Sequence, residues 1–258
     1  MKAMILAAGL GTRLQPLTLT RPKALLEVQG IPLLGLVIGR LAQHGFTEIV
    51  VNAYHLADQI VAFLDEYQKQ SGHARLTVAV SRETKLLDTG GGVQNAGWFF
   101  DDGQPFLVHN VDVLTDLDLN RLMEAHRTSK ALATLAVRER KTTRYFLFDP
   151  ENRLCGWRSL QSHETRMART VDGPVTPLSF MGIQVLSPII FKRLAAAPPF
   201  SLVEAYLQLA AAGESITAFR ADDARWMDLG RKEQLDLAPA LFGRAFFESL
   251  KKNDVTSF

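Results

Sequence analysis

An α/β fold on a Rossmann-like, doubly wound, mostly parallel sheet is predicted by three features of the sequence. Short apolar runs alternate with helix-period segments through the first 137 residues. Glycine-rich or acidic loops follow three of those runs, as expected where ligands gather beyond the carboxyl ends of parallel strands. Hydrophobic residues make up 47% of the 258, enough for a large α/β domain with a continuous core.

Each element has its own signal. Residues 3–7 read as a buried strand. Leu33–Gln43 carries the helical period, and His44-Gly45 stops it. Residues 48–52 are a strand and Ala57–Gln70 a helix, with Ile60, Phe63, Leu64 and Tyr67 on one face. A strand over 76–80 precedes a glycine run, and a short helix is predicted over 92–99. A strand over 105–110 leads to a helix over 118–129, whose inner face holds Leu119, Leu122, Met123 and His126. Residues 131–137 are the next strand. Beyond Arg138 the pattern becomes α+β, with strands over 145–149, 153–160 and 177–186 and turns at Asp149-Pro150 and Asp172-Gly173-Pro174. Ser201 is the expected N-cap of a helix over 201–212. A strand over 216–221 leads to Trp226-Met227-Asp228. The tail, 235–250, reads as helical with a break or fresh start at Pro239. Its Phe242, Phe246 and Phe247 suit core packing or the contact of a homo-oligomer.

Composition excludes several classes. Net charge is +2, and no basic tract is long enough to follow a nucleic-acid backbone. Arg138-Glu139-Arg140-Lys141 reads as a solvated face or a substrate rim. The single cysteine, Cys155, allows no intrachain disulfide and no cysteine-based metal cluster. No apolar run approaches the roughly 20 residues of a membrane span. Met1-Lys2 runs directly into a core strand, so no signal peptide and a cytoplasmic location are expected.

The most informative stretch follows the first strand. Ala7-Ala8-Gly9-Leu10-Gly11-Thr12-Arg13-Leu14 presents backbone N–H groups with few side chains in the way, a nest for phosphate oxygens. Arg13 and Lys23 add two cations. A dinucleotide fingerprint fits less well. Leu14 stands at the third small position, Pro16 and Pro22 keep the chain irregular until about Leu33, and Asn52 ends the second strand where an acid should meet the ribose. No Gly-Lys-Ser/Thr follows the glycines, so the loop is not a P-loop. A plain strand-to-helix turn accounts for Gly9 and Gly11 but not for Arg13 and Lys23. Asp112 emerges after the apolar Phe106-Leu107-Val108, at the edge where Gly9 and the Asp88–Gly92 loop also lie. Asp116 and Asp118 read as turn or capping acids. His109 reads as a strand-end packing residue, and His55, His126 and His163 show no ligand spacing. Asn52 and Asn110 end strands at the same edge, where sugar or ribose contacts and ordinary turns explain them about equally.

Taken with Pro16-Leu17-Thr18 and Arg21-Pro22-Lys23-Ala24-Leu25, the glycine loop resembles the signature of sugar-1-phosphate nucleotidyltransferases. Leu87-Asp88-Thr89-Gly90-Gly91-Gly92 is similar to that family's base- and sugar-binding loop. Asn110-Val111-Asp112 resembles its metal-binding Asn-Gly-Asp. Phe180-Met181-Gly182-Ile183 is similar to its sugar-pocket strand, and Trp226-Met227-Asp228-Leu229-Gly230 to its second metal-aspartate motif. The resemblance spans residues 1 to about 232 and is nearest to the branch of bacterial N-acetylmuramate-1-phosphate uridylyltransferases.

The resemblance implies the nucleotide-diphospho-sugar transferase version of the fold, with an α+β lid over the sugar. It divides one domain into a nucleotide-binding half (1–137), a sugar-binding half (138–232) and a C-terminal helix and tail (233–258). It implies transfer of a nucleotide, UTP before the others, to a sugar 1-phosphate, giving an NDP-sugar for cell-envelope polysaccharide and pyrophosphate. Arg13 and Lys23 would be catalytic. Ala8, Gly9, Gly11, Thr12, Arg13, Lys23, Thr89 and Gly90 would bind the nucleotide. Gly91, Asn110, Gly182 and Arg158 would bind the sugar, and Asp112 and Asp228 would hold Mg²⁺. Two departures stand out. Val111 replaces a small residue and would reshape the pocket below it. Ser159-Leu160-Gln161 stands where relatives carry Glu-Lys-Pro, which leaves Arg144 or Arg158 to meet the sugar phosphate. A non-catalytic nucleotide-sensing or assembly subunit is the second class, favoured by loss of Arg13, Lys23 or an aspartate, all of which are present. An NAD-dependent oxidoreductase is the third.

Overall fold

The computed structural model describes residues 1–70, 76–194 and 197–255. The chain divides into two compact units that interleave along the sequence. One comprises Met1–Leu86, His109–Leu117 and Arg225–Phe258; the other comprises Leu87–Val108 and Asp118–Ala224. Residues 87–108 and 118–137 thus belong with the later part of the chain, not with the first 86 residues.

In the first unit the strands Lys2–Leu6, Glu48–Ala53 and Thr77–Arg82 pair in parallel, with Leu6 opposite Asn52 and Asn52 opposite Ser81. Parallel pairing requires crossovers, and the helices Leu33–Gln43 and Ala57–Gln70 supply them. The strands are apolar because both faces are covered. Ala3, Met4, Ile5, Ile49, Val50 and Val51 are fully buried. Both helices have the predicted limits. Between Leu6 and Leu33 the chain makes three 3₁₀ turns, at Thr12–Leu14, Leu17–Leu19 and Lys23–Leu25, as its prolines require. The short strand Val113–Thr115 pairs antiparallel with Trp226–Asp228. Two helices close the unit, Lys232–Phe242 and Arg244–Val255. The break between them is at Gly243 (φ 75°), not at Pro239, which sits inside the first helix. Burial of Leu235, Ala238 and Phe242 holds that helix through the proline.

Beyond Arg138 the second unit mixes antiparallel strands with helices, the α+β pattern predicted for that part of the chain. Thr176–Leu186 runs antiparallel to both Ala133–Arg138 and Arg144–Phe148, and Ile216–Arg220 runs parallel to Ala133–Arg138. Leu154–Ser159 forms a hairpin with Arg144–Phe148 and pairs with an unpredicted strand, Glu164–Met167. Phe106 stacks on Phe100 and Phe191 at ring separations of 3.7 and 5.6 Å. Ser201 caps the helix Leu202–Ala211 by accepting from the Glu204 N–H, and Asp118 caps Leu119–Ser129 through Asn120 and Arg121. The helix expected over 92–99 is corrected. It covers Asp88–Asn95, glycines included, and only a 3₁₀ turn, Gly97–Phe99, follows. Glycine disfavours helix, but a tertiary contact overrides that here. The Gly90 and Gly91 N–H groups both donate to the Phe200 carbonyl, at 2.9 and 3.2 Å. A Cβ on Gly90 would lie 2.4 Å from the Phe200 ring, and one on Gly91 2.9 Å from Pro198.

Candidate active site

The candidate site begins where the first strand ends. Ala7 and Ala8 are buried, while Gly9, Thr12 and Arg13 are exposed. Gly11 has φ +65°, and a Cβ there would lie 2.7 Å from the Thr18 methyl and 3.2 Å from Lys23 Cβ. Conformation and close approach therefore both demand glycine. The Thr18 hydroxyl donates to the Gly11 carbonyl at 2.9 Å. His55 Nε2 donates to the Thr18 carbonyl, also at 2.9 Å. The loop is thus braced from the segment that follows the second parallel strand.

Lys23 opens its 3₁₀ turn directly after Pro22, whose φ of −64° needs no adjustment. Its Nζ donates to Asp112 Oδ2, with the two side chains only 11% and 20% exposed. Asp112 is held from both sides. The Val111 N–H donates to the Leu6 carbonyl at 3.1 Å, and the Leu229 N–H donates to the Asp112 carbonyl at 2.7 Å. The same pairing sets Asp228 opposite Val113, one residue from Asp112. Asp228 Oδ1 accepts from the Gly230 N–H at 2.7 Å. A Cβ on Gly230 would sit 2.5 Å from an Arg13 guanidinium nitrogen and 2.6 Å from Asp228 Oδ1. Gly230 therefore leaves room for both the Arg13 guanidinium and the Asp228 carboxylate beside it. Two cations from the loop after the first strand and two carboxylates, one from each of two distant segments, are thus gathered in the first unit.

The remaining sequence-predicted residues are distributed as follows. Asn110, half-buried, precedes Asp112 in the first unit. Asn52 is 2% exposed and has both ends of its amide engaged inside the protein. Thr89, Gly90, Gly91, Arg158 and Gly182 lie in the second unit. Thr89 Oγ1 accepts from the Leu202 N–H at 2.9 Å. Arg158 Nε donates to Thr165 Oγ1 at 3.2 Å. Gly182 has φ +78° and lies in an irregular stretch of its strand between Phe180 and Gln184. Arg144 is exposed. Val111 is 5% exposed, so its side chain belongs to the core.

His109 is 2% exposed, and its Nδ1 donates to the Asn110 carbonyl at 2.8 Å. Burial lowers its pKa to about 4, so it is neutral near pH 7 and packs, as predicted. Asp118 is the predicted cap. Asp116 does more than turn the chain. Its oxygens accept from Arg225 N at 2.7 Å and Arg225 Nε at 2.6 Å, next to the strand that carries Asp228. Arg225, and Glu83, which accepts from Asn52 Nδ2 at 2.7 Å, give no sequence signal because each is a single residue whose partner is distant in sequence, while Gly230 is visible only as the end of the Trp226-Met227-Asp228-Leu229-Gly230 motif. Thr18 and His55 are visible in the sequence only as a motif residue and an isolated histidine.

A glycine loop with cations and carboxylates beside it, set beyond parallel strands, is the arrangement expected of nucleotide-handling α/β proteins. The chain belongs to the nucleotidyl transferase family, whose model matches residues 2–239. An N-acetylmuramate alpha-1-phosphate uridylyltransferase of Neisseria meningitidis is 50% identical over 119 residues, 46% of this chain and 49% of that protein. The match thus spans about half the length of that relative. One of the same name from Caulobacter vibrioides is 32% identical over 239 residues, 88% of this chain and 91% of that protein. Among solved structures, a UDP-glucose pyrophosphorylase from Acinetobacter baumanii superposes with a TM-score of 0.75 at 20% identity, covering 97% of each chain. That likeness speaks for the fold.

Proposed function

We propose that this chain is a Mg²⁺-dependent sugar-1-phosphate nucleotidyltransferase that uses UTP. The observation that carries the reading is the Lys23–Asp112 pair, with Asp228 opposite the residue next to Asp112 and the Arg13 guanidinium beside Gly230. The reaction joins two polyanions. A phosphate oxygen of the sugar 1-phosphate forms a bond to the α-phosphorus of the triphosphate, the bond from that phosphorus to the bridging oxygen breaks, and pyrophosphate leaves with the electron pair. No protein nucleophile is required. Backbone N–H groups of residues 8–11 would receive phosphate oxygens, while Arg13 and Lys23 would stabilise charge developing on the leaving group.

Asp112 and Asp228 offer hard oxygen donors, which suit Mg²⁺ and not the nitrogen and sulfur ligands of structural zinc. Among the described residues no group of three or more His, Cys, Asp or Glu is gathered to hold an ion by protein ligands alone. That fits an ion completed by substrate phosphates and water. The four charged side chains cancel one another, so an incoming triphosphate brings uncompensated negative charge. Bound Mg²⁺ would supply that compensation and polarise the phosphates.

UTP is favoured because the Neisseria and Caulobacter relatives carry uridylyltransferase names. Guanyltransferases are also among the matched relatives. Among the described residues no helix is long and apolar enough to cross a membrane. We read the chain as cytoplasmic and as supplying an NDP-sugar for cell-envelope polysaccharide. The test is pyrophosphate release with each of four nucleoside triphosphates against a panel of sugar 1-phosphates. Release with UTP and one sugar 1-phosphate is expected. Binding of UTP without turnover on any sugar would support the nucleotide-sensing alternative instead.

A further inference from the structure

The loop that receives the nucleotide leaves the sheet at Ala7, and one side chain directs that departure. Leu6 is the last residue of its strand, opposite Asn52 in the parallel ladder. The next amide, of Ala7, bonds not to a neighbouring backbone carbonyl but to Asn52 Oδ1, at 2.7 Å. The other end of that side chain, Nδ2, donates to Glu83 Oε1 at 2.7 Å. Asn52 and Glu83 are 2% and 7% exposed. Glu83 is itself fixed, because its N–H donates to the Ala53 carbonyl at 2.9 Å.

The chemistry of the pair sets its polarity. A carboxylate only accepts, so Asn52 must turn Nδ2 toward Glu83 and is left with Oδ1 for Ala7. Without Glu83 the amide is free to flip, and its NH₂ would then oppose the Ala7 N–H, donor against donor. An unsatisfied buried amide is costly, so the loop would move. Both side chains are buried. Their effect is on where the N–H groups of residues 8–11 point.

We propose that Asn52 and Glu83 are a positioning pair that orients the Ala7–Gly11 loop for the triphosphate, an inference that rests on the functional reading above. The pair can be inverted without changing net charge. Asn52→Asp alone places two carboxylates against each other. Glu83→Gln alone keeps an oxygen for Asn52 but removes the constraint on the flip. The double variant restores complementarity, since the carboxylate introduced at position 52 would accept from both the Ala7 N–H and the amide introduced at position 83.

The experiment measures UTP affinity by calorimetry, KM and kcat in turnover, and hydrogen exchange at the Ala7 amide, in the parent chain, both single variants and the double. Asn52→Asp should weaken UTP binding and raise its KM by about ten-fold or more, the scale of a lost buried bond to a charged network. The double variant should return to within about three-fold of the parent, and Ala7 exchange should speed up and recover in parallel. A double variant no better than Asn52→Asp overturns the pair. So does an Asn52→Asp protein that melts lower yet binds UTP normally. If the parent binds none of four triphosphates, the functional reading falls. Ala7 exchange then still judges the brace, and an unchanged rate in Asn52→Asp overturns it.

Discussion

Lys23 reaches across 89 residues of sequence to place its ammonium on Oδ2 of Asp112, and the two side chains are only 11% and 20% exposed. The cation expected on the leaving group and the carboxylate expected on the metal are therefore partners before any substrate arrives. Removing either one leaves the other partly buried and unpaired.

Lys23→Ala and Arg13→Ala should each lower kcat by about two orders of magnitude, the scale of losing an electrostatic stabiliser. Their thermal stabilities should differ. Arg13 is exposed, so its loss should leave Tm nearly unchanged. Lys23→Ala strands Asp112 and should cost about 1–3 kcal/mol, much of it regained by adding Asp112→Asn. Steady-state kinetics with thermal melts separates the two effects. Normal kcat with a large drop in Tm would make Lys23 structural.

Gly230→Ala should damage the site and spare the fold. The new methyl would meet an Arg13 nitrogen at 2.5 Å and Asp228 Oδ1 at 2.6 Å, and both can give way. Turnover should fall about ten-fold or more with a changed Mg²⁺ requirement, while circular dichroism and Tm stay near the parent values.

Gly90→Ala should cost stability. Its methyl would meet the Phe200 ring at 2.4 Å and the Phe200 carbonyl at 2.9 Å. Overpacking of this kind costs about 1–3 kcal/mol. Phe200→Ala in the same chain should relieve part of that cost, which urea unfolding of the two singles and the double can measure. Independent, additive losses would contradict the contact.

Acid should destabilise the protein partly through His126. Burial lowers its pKa from 6.5 to about 4, with Arg127 adding to the effect. Ser187 Oγ donates to the Ala131 carbonyl, so it accepts from His126 Nε2–H, and Thr134 Oγ1 donates to Nδ1. Protonating Nδ1 would force the Thr134 hydroxyl to turn toward Thr217 Oγ1, 3.1 Å away, and would leave a charge in a buried site. Because the folded pKa lies below the unfolded one, this stability is fully present above about pH 6.5 and is lost as pH falls toward 4, on the order of 2–3 kcal/mol in all. Folding free energies at about pH 7 and about pH 5 should therefore differ less in His126→Gln than in the parent.

What could be read in the sequence was local. Leu33–Gln43 and Ala57–Gln70 are legible because the apolar period lies within each, and His44-Gly45 directly follows the first. The glycine loop, Arg13, Lys23 and Asp112 are visible because small residues, cations and an acid follow strands in a recognisable order. The strand Glu164–Met167 is invisible because none of its residues is buried, so it has no apolar alternation. The helix through Gly90 and Gly91 is invisible because Phe200, which stabilises it, is distant in the sequence. Glu83 carries no local pattern, and Gly230 shows only as the last residue of the Trp226-Met227-Asp228-Leu229-Gly230 motif, which does not say what its missing side chain makes room for. They are explained by Asn52, and by Arg13 and Asp228, only once the chain has folded.

The most direct test of the proposed chemistry is the Mg²⁺ dependence of pyrophosphate release in the parent, Asp112→Asn, Asp228→Asn and the double variant, with Asp118→Asn as the helix-cap comparator. Both single losses should raise the Mg²⁺ requirement and cut turnover. The double should cost less than the two combined, because the carboxylates are expected to share one ion. Asp118→Asn should stay near the parent in turnover. Release that persists in EDTA, or losses from Asp112 and Asp228 that simply add, would contradict the shared-ion site.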